Sequence, residues 1–365
     1  MLPAFAGKGS RPTTVVLHRR SCLSESALRT GTSLTLSSTP FTPHPWLRNP
    51  HLQTMAGSFL QRTFALPPPE ERLFRVDAHS QIKAICHWQP GKRRDLPIVL
   101  IVHGLEGSSD SGYARGIADK AFALGWHAIR LNQRNCGGTE TLTPTLYNSG
   151  MSADYAAVLA ELSQRDGFDR LYFSGYSMGG NLVSKMAGEF ASAPPAALRG
   201  VGVVCPALDL AACADALERP SNFLYQRHFV KGLLSRYRRK AALYPGRYSL
   251  NGFGRVRTVR EFDDAITAPA FGYHDAQEYY EAAGAKRVLD QVALPLLLIT
   301  AQDDPFVPYE AFLRVPGIAN PHIRFVAPEL GGHCGFISSR AGVERFWAEQ
   351  RLIEFFAGLE TSSRD

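Results

Sequence analysis

Three short stretches of this chain carry residue types that together could run nucleophilic catalysis. In Gly175-Tyr176-Ser177-Met178-Gly179, an apolar run leads into the serine and a helical pattern leads out. That is the form of a tight strand-to-helix turn, which lifts a serine oxygen over the end of a sheet. Glycines flank the serine because side chains there would collide with the neighbouring strand and helix. A serine hydroxyl is a weak nucleophile at neutral pH. It requires a base within hydrogen-bond reach and a group to orient that base. Downstream, an acid follows an apolar run in Ala301-Gln302-Asp303-Asp304-Pro305, and a histidine follows another in Gly331-Gly332-His333. Serine, acid, histidine is one of the known chain orders for such a set.

Ser177 is therefore the expected nucleophile, His333 the expected base and Asp304 its orienting acid. Asp304 is preferred to Asp303 because a small residue three positions earlier and a proline just after it fit Asp304. Asp303 is expected to brace its loop through backbone hydrogen bonds, and Asp209 is a more distant candidate. His228 and His274 are read as structural. Attack on a carbonyl creates a negative oxygen, which preorganised donors must meet. The expected donors are the backbone N–H groups of Met178, directly after the serine, and Leu105, in His103-Gly104-Leu105-Glu106-Gly107. His103 is expected to hold that second loop by hydrogen bonds.

These residues need a sheet whose strand ends gather them. Residues 71–77 and 82–89 alternate apolar and polar and read as a half-exposed hairpin turning at Ala78-His79-Ser80. From Ile98 the strands become continuously apolar, as strands buried on both faces are. Strand patterns at 98–102, 126–131, 171–173, 201–205, 294–300 and 323–326 alternate with helical patterns at 111–124, 151–165, 180–190 and 343–356. The expected fold class is α/β: a mostly parallel, eight-stranded-type sheet with helices on both faces. Right-handed crossovers point the parallel strands one way, and ligands bind outside their C-terminal ends. The loops after Val102, Phe173, Thr300 and Val326 should then lie side by side.

Residues 41–208 and 294–357 are expected to form this core. Residues 209–293 interrupt the alternation and read as an inserted helical cap, rich in aromatic side chains. From Arg219 to Arg260 there are eleven Lys and Arg residues and no acid. A solvated helical face accounts for such a run at least as well as a binding surface does. Residues 1–40 are Ser- and Thr-rich, with five basic residues against the single acid Glu25. They read as a disordered tail or an over-extended start, and residues 358–365 as a flexible tail. At 365 residues, net charge +7 and 45% apolar composition, the chain can bury a substantial core. It carries no nucleic-acid motif, no apolar run near the roughly 18 residues of a membrane span and no clustered metal ligands. Its six cysteines form no C-x-x-C pair, so reduced thiols in the cytoplasm are expected.

Taken with their neighbours, the motifs resemble the α/β-hydrolase superfamily, and within it the YheT-like hydrolases. The likeness rests on Trp46-Leu47-Arg48-Asn49-Pro50-His51-Leu52-Gln53-Thr54, on the 103–107 and 132–138 stretches, and on Ser177-Met178-Gly179-Gly180-Asn181. One departure is Arg134-Asn135, where that branch has Arg-Gly; asparagine tolerates the positive φ such a turn needs. The resemblance implies an esterase or lipase acting on acyl esters with a Ser177-Asp304-His333 triad; the sequence shows no H-E-x-x-H motif or clustered ligands, so no metal or organic cofactor is expected. A small acyl ester is the implied substrate, with a lipid or membrane surface as a further expected contact through the basic cap and no nucleic-acid partner. Two alternatives stand beside it. An alcohol acyltransferase would use the same triad, and a silent ligand-binding protein would keep the fold without the chemistry.

Overall fold

The computed structural model describes residues 40–251, 253–339 and 344–362. The expected disorder of residues 1–39 lies outside them. The strands are β1 (Glu70–Arg75), β2 (Gln81–His87), β3 (Ile98–Val102), β4 (His127–Leu131), β5 (Leu171–Tyr176), β6 (Leu198–Val204), β7 (Leu296–Ile299) and β8 (Ile323–Val326). They form one eight-stranded sheet in the order β1-β2-β4-β3-β5-β6-β7-β8. β1 pairs antiparallel with β2, and β2 antiparallel with β4. From β4 onward every pairing is parallel.

The apolar strand β3 shows why the sheet sits in the middle. Successive side chains of a strand point to opposite faces. Ile98, Leu100 and Val102 join one core, and Val99 and Ile101 join the other. Both faces must therefore be covered. On the first face lie α3 (Ala153–Ala160) and α4 (Met178–Glu189), contributing Tyr155, Val158, Leu182, Val183 and Met186. On the second lie α2 (Gly112–Ala123), with Ala114, Ile117, Ala118 and Ala121, and the closing helix Trp347–Ser362, with Leu352 and Phe356. A further helix, α1 (Pro50–Phe59), precedes the sheet. Pro50 starts it, and the Asn49 side chain caps it by accepting from His51 N and Leu52 N.

Several boundaries differ from expectation. β5 runs to Tyr176 because β3 and β6 hold it on both sides, to Gly175 and Tyr176 respectively. α4 begins at Met178, directly after the serine. The segment expected as one helix over 151–165 starts at Ala153 and ends in a π-helical turn at Glu161–Arg165. The flexible tail placed at 358–365 is corrected over 358–362, where the closing helix continues to Ser362; residues 363–365 lie outside the described residues. Leu359 is buried there, and Glu360 accepts hydrogen bonds from Arg170 and Tyr172 Oη at 2.9 and 2.7 Å.

Between β6 and β7 the chain leaves the sheet as α5 (Leu210–Leu217), α6 (Phe223–Leu243) and the helix Ala276–Ala283, with shorter turns between. The basic run proves to be of two kinds. Arg227, Lys231 and Arg238 stand exposed on α6. Arg236 and Lys240, one helical turn apart, are buried and bind loops of the sheet. The Lys240 ammonium donates to Glu140 O at 2.7 Å and to Thr143 O, and burial lowers its pKa to about 8.

Candidate active site

The parallel strands end in register. Val102 pairs with Gly175, Tyr176 with Val204, Val204 with Ile299, and Ile299 with Val326. The loops that follow are thus brought to one edge, and the residues singled out from sequence lie in them.

Ser177 sits between β5 and α4 at φ 53° and ψ −120°. A non-glycine residue in that region is strained. The surroundings hold it there. Ser177 N donates to Val204 O at 2.9 Å, and its carbonyl accepts from Asn181 N at 3.0 Å. The flanking glycines are required by contact. A Cβ on Gly175 would lie 2.4 Å from Gly179 O, and one on Gly179 would lie 2.4 Å from both Val102 O and His103 O. This elbow is wedged between its own helix and the end of β3.

Asp304 and His333 meet. His333 Nδ1 lies 2.8 Å from Asp304 Oδ2, and the Asp304 side chain is fully buried. The other carboxylate oxygen accepts from Phe306 N and Val307 N at 3.0 and 2.8 Å. Asp303 faces the other way, and its Oδ1 accepts from Gly332 N at 2.8 Å, bracing the histidine loop. Burial opposes charging the imidazole, but the adjacent Asp304 carboxylate outweighs it and raises the His333 pKa to about 9. Phe306 packs its ring 4.0 Å from the imidazole, centroid to centroid. Phe306 and Ser177 line one cleft, and the Cys334 thiol beside His333 reaches the Ser177 backbone. No hydrogen bond joins the imidazole to Ser177 Oγ among the described residues. Such contacts commonly tighten only around substrate.

Leu105 and Met178, the two expected backbone donors, both line the cleft beside Ser177. The loop carrying Leu105 runs close over the serine: a Cβ on Gly104 would stand 3.2 Å from Ser177 Cβ. His103 fixes the loop from below. Its Nδ1 donates to Gly104 O at 2.8 Å, and its Nε2 accepts from Gln133 N at 3.1 Å. Full burial lowers its pKa to about 4, so it stays neutral. Asn135 takes φ 64°, the turn a glycine would otherwise supply.

The other candidates stand apart from the serine. Asp209 caps α5 by accepting from Ala212 N and pairs with Lys286 at 3.3 Å. His228 and His274 are exposed. Two supports escaped the sequence reading. Thr54 on α1 accepts from His333 N at 2.8 Å through Oγ1, which itself donates to Pro50 O at 2.7 Å. Arg236 of α6 pairs with Glu106 of the Leu105 loop at 3.0 and 3.1 Å and also donates to Asn135 O. The signal for the first was Thr54 at the end of the 46–54 motif. For the second it was the acid in Leu105-Glu106-Gly107.

The cleft encloses about 110 Å³. Leu105, Leu146, Leu210, Leu217, Leu233 and Phe262 make its walls largely apolar. One carboxyl interrupts them. Asp263 is raised to about 6 by burial, against the hydrogen bonds it takes from Thr267 and from Tyr280 Oη at 2.8 Å.

A family model described as alpha/beta hydrolase fold matches residues 97–339. "Putative esterase YheT" of Escherichia coli (strain K12) is 32% identical over 87% of this chain and 93% of its own length. Mouse "Phospholipase ABHD3" is 29% identical over 70% of this chain, which spans only 60% of that longer protein. Among solved structures, 2,6-dihydroxy-pseudo-oxynicotine hydrolase superposes with a TM-score of 0.54 at 16% identity, covering 86% of this chain and 72% of that one. That last likeness concerns the fold.

Proposed function

The chain belongs to the alpha/beta-hydrolase family, and from that premise we propose that it is a serine hydrolase cleaving carboxylic esters through an acyl-enzyme. The observation that carries this reading is the 2.8 Å contact between His333 and a buried Asp304, at the sheet edge where Ser177 is held at φ 53°. His333 Nε2 takes the Ser177 proton as Oγ attacks the ester carbonyl. The oxyanion is met by the N–H groups of Leu105 and Met178, the latter opening a helix whose dipole favours negative charge. Collapse of the intermediate expels the alcohol, which leaves with the proton from His333. Water then repeats the sequence in reverse on the acyl-serine.

The apolar cleft supports an acyl chain as the group held beside Ser177. A lipid-like substrate is further supported by the outer surface. Leu52, Met55 and Phe59 recur at helical spacing on α1 and are exposed, as are Trp46 before it and Phe223 and Leu224 at the start of α6. His51 stacks on Tyr225 with ring centroids 5.7 Å apart, which joins the two groups. Arg219, Arg227, Lys231 and Arg238 border a groove with Phe223. A large apolar patch edged by cations suits a bilayer surface carrying anionic headgroups. No described helix is long and apolar enough to cross a membrane.

A fluorophosphonate probe tests the activated serine directly. The expected result is one adduct mapping to Ser177, lost in Ser177→Ala together with turnover of a p-nitrophenyl ester. Full turnover by that variant would falsify the proposal.

A further inference from the structure

Cys205 directly follows β6 and Cys334 directly follows the imidazole, far apart in the chain. In the fold their sulfurs and a ring nitrogen of His333 all lie within 4.8 Å of one another. Among the described residues no other set of three His, Cys, Asp or Glu side chains converges this way. The thiols are interlocked. Cys334 N donates to Cys205 Sγ at 3.4 Å, Cys205 Sγ contacts Gly332 O at 3.8 Å, and Cys334 Sγ contacts Val204 O at 3.8 Å. Both cysteines sit in the left-handed region, at φ 45° and 61°. Side chains other than glycine rarely adopt it, so the surrounding strand ends must impose this convergence.

Two thiolates and an imidazole are a donor set for zinc. Zinc binds sulfur at about 2.3 Å and nitrogen at about 2.0–2.1 Å, which puts neighbouring donor atoms roughly 3.5–3.8 Å apart in a tetrahedron. Atoms already within 4.8 Å reach that spacing by small side-chain rotations. Soft sulfur ligands exclude magnesium and calcium as occupants. Asp304 supplies a further element. A carboxylate on the second nitrogen of a ligating histidine orients the ring and strengthens it as a ligand, and Asp304 Oδ2 stands 2.8 Å from Nδ1.

We propose that Cys205, His333 and Cys334 form an inhibitory zinc site built on the catalytic base. Binding forms two Zn–S bonds and one Zn–N bond and releases to solvent the two thiol protons and, where the imidazole is charged, its extra proton as well. The fourth position is left to water. If the ion takes Nε2, the imidazole has no lone pair for the Ser177 proton. If it takes Nδ1, the Asp304 contact is lost. Either way the base is disabled. The inhibitory consequence rests on His333 being the base; the binding of metal does not.

The test uses the whole chain under a non-thiol reductant. Cobalt(II) is added as a spectroscopic substitute, and zinc binding is followed by calorimetry. The expected results are a thiolate-to-cobalt charge-transfer band displaced by equimolar zinc, and protection of Cys334 from alkylation mapped by mass spectrometry. Zinc at about ten times its dissociation constant should also cut ester turnover about tenfold. The Cys205→Ser/Cys334→Ser variant, measured against its own zinc-free rate, should lose the band and the sensitivity. Should that variant not fold, the wild-type alkylation and cobalt measurements decide alone. An absent band in reduced protein overturns the site, as does zinc binding that leaves Cys334 fully alkylated. Zinc bound at both thiols with turnover unchanged would instead remove His333 from the role of base.

Discussion

Thr54 Oγ1 accepts the backbone N–H of His333 at 2.8 Å, so a helix that precedes the whole sheet holds the last loop of the site. The chain thereby closes on itself. The 46–54 motif contributes no reacting group, yet its final residue fixes where the imidazole hangs. Asn49 and Pro50 start the helix that presents it.

Thr54→Val keeps the volume and removes the acceptor. The stranded N–H costs about 1–3 kcal/mol if the loop stays in place. The expected effect is a fall in kcat of roughly ten- to a hundredfold, with KM little changed and activity restored in Thr54→Ser. Steady-state kinetics on a soluble ester distinguish this from general destabilisation, in which Thr54→Ser would offer no rescue of kcat.

The Asp304 carboxylate raises the His333 pKa from 6.5 to about 9. A histidine base works only when neutral, so on the proposed mechanism kcat/KM should rise with pH and level off on the alkaline side. Asp304→Asn removes the charge that favours the imidazolium. It should lower activity about a thousandfold to ten-thousandfold and move the remaining pH midpoint downward. An unchanged midpoint in that variant would show that Asp304 does not set the titration.

Leu233 lines the cleft beside Ser177. Leu233→Trp should shorten the space for an acyl chain. Each methylene that no longer fits forfeits about 0.8 kcal/mol, or roughly fourfold in kcat/KM. A series of esters of graded length should show the loss for long chains and little change for short ones. A uniform loss across the series would assign Leu233 to the fold instead. Adding an alcohol to the same assays separates hydrolysis from acyl transfer by its products.

Met55→Asp and Phe59→Asp place charges on the exposed stripe of α1. Co-sedimentation with anionic vesicles should fall several-fold in the double variant, while turnover of a soluble short-chain ester is retained. Vesicle binding that survives both changes would move the contact elsewhere.

How much of this was legible beforehand depends on distance along the chain. The parallel strands were readable because burial on both faces leaves unbroken apolar runs, as at Ile98–Val102. Ser177, Asp304 and His333 could be singled out because each follows such a run at the same sheet end. Helix ends were less legible. Nothing local in 358–362 announced that Glu360 would be fixed by Arg170 and Tyr172. Thr54, Arg236 and the Cys205–Cys334 meeting were out of reach for the same reason. Each acts through a partner brought near only by the folded sheet: the 46–54 motif and the acid at Glu106 stand out in the sequence, but neither says what it will meet.

Arg236 ties the helical cover of the cleft to the Glu106 loop, and so to the expected oxyanion donor at Leu105. The cover and the donor share a strut. An acyl chain that overfills the cleft and lifts α6 would drag the donor out of line. Oversized substrates are then expected to bind and turn over slowly, lowering kcat, instead of failing to bind. A rise in KM alone with chain length would show that the strut transmits nothing. On this view the molecule gauges its guest by how well the chemistry runs and not by what it admits.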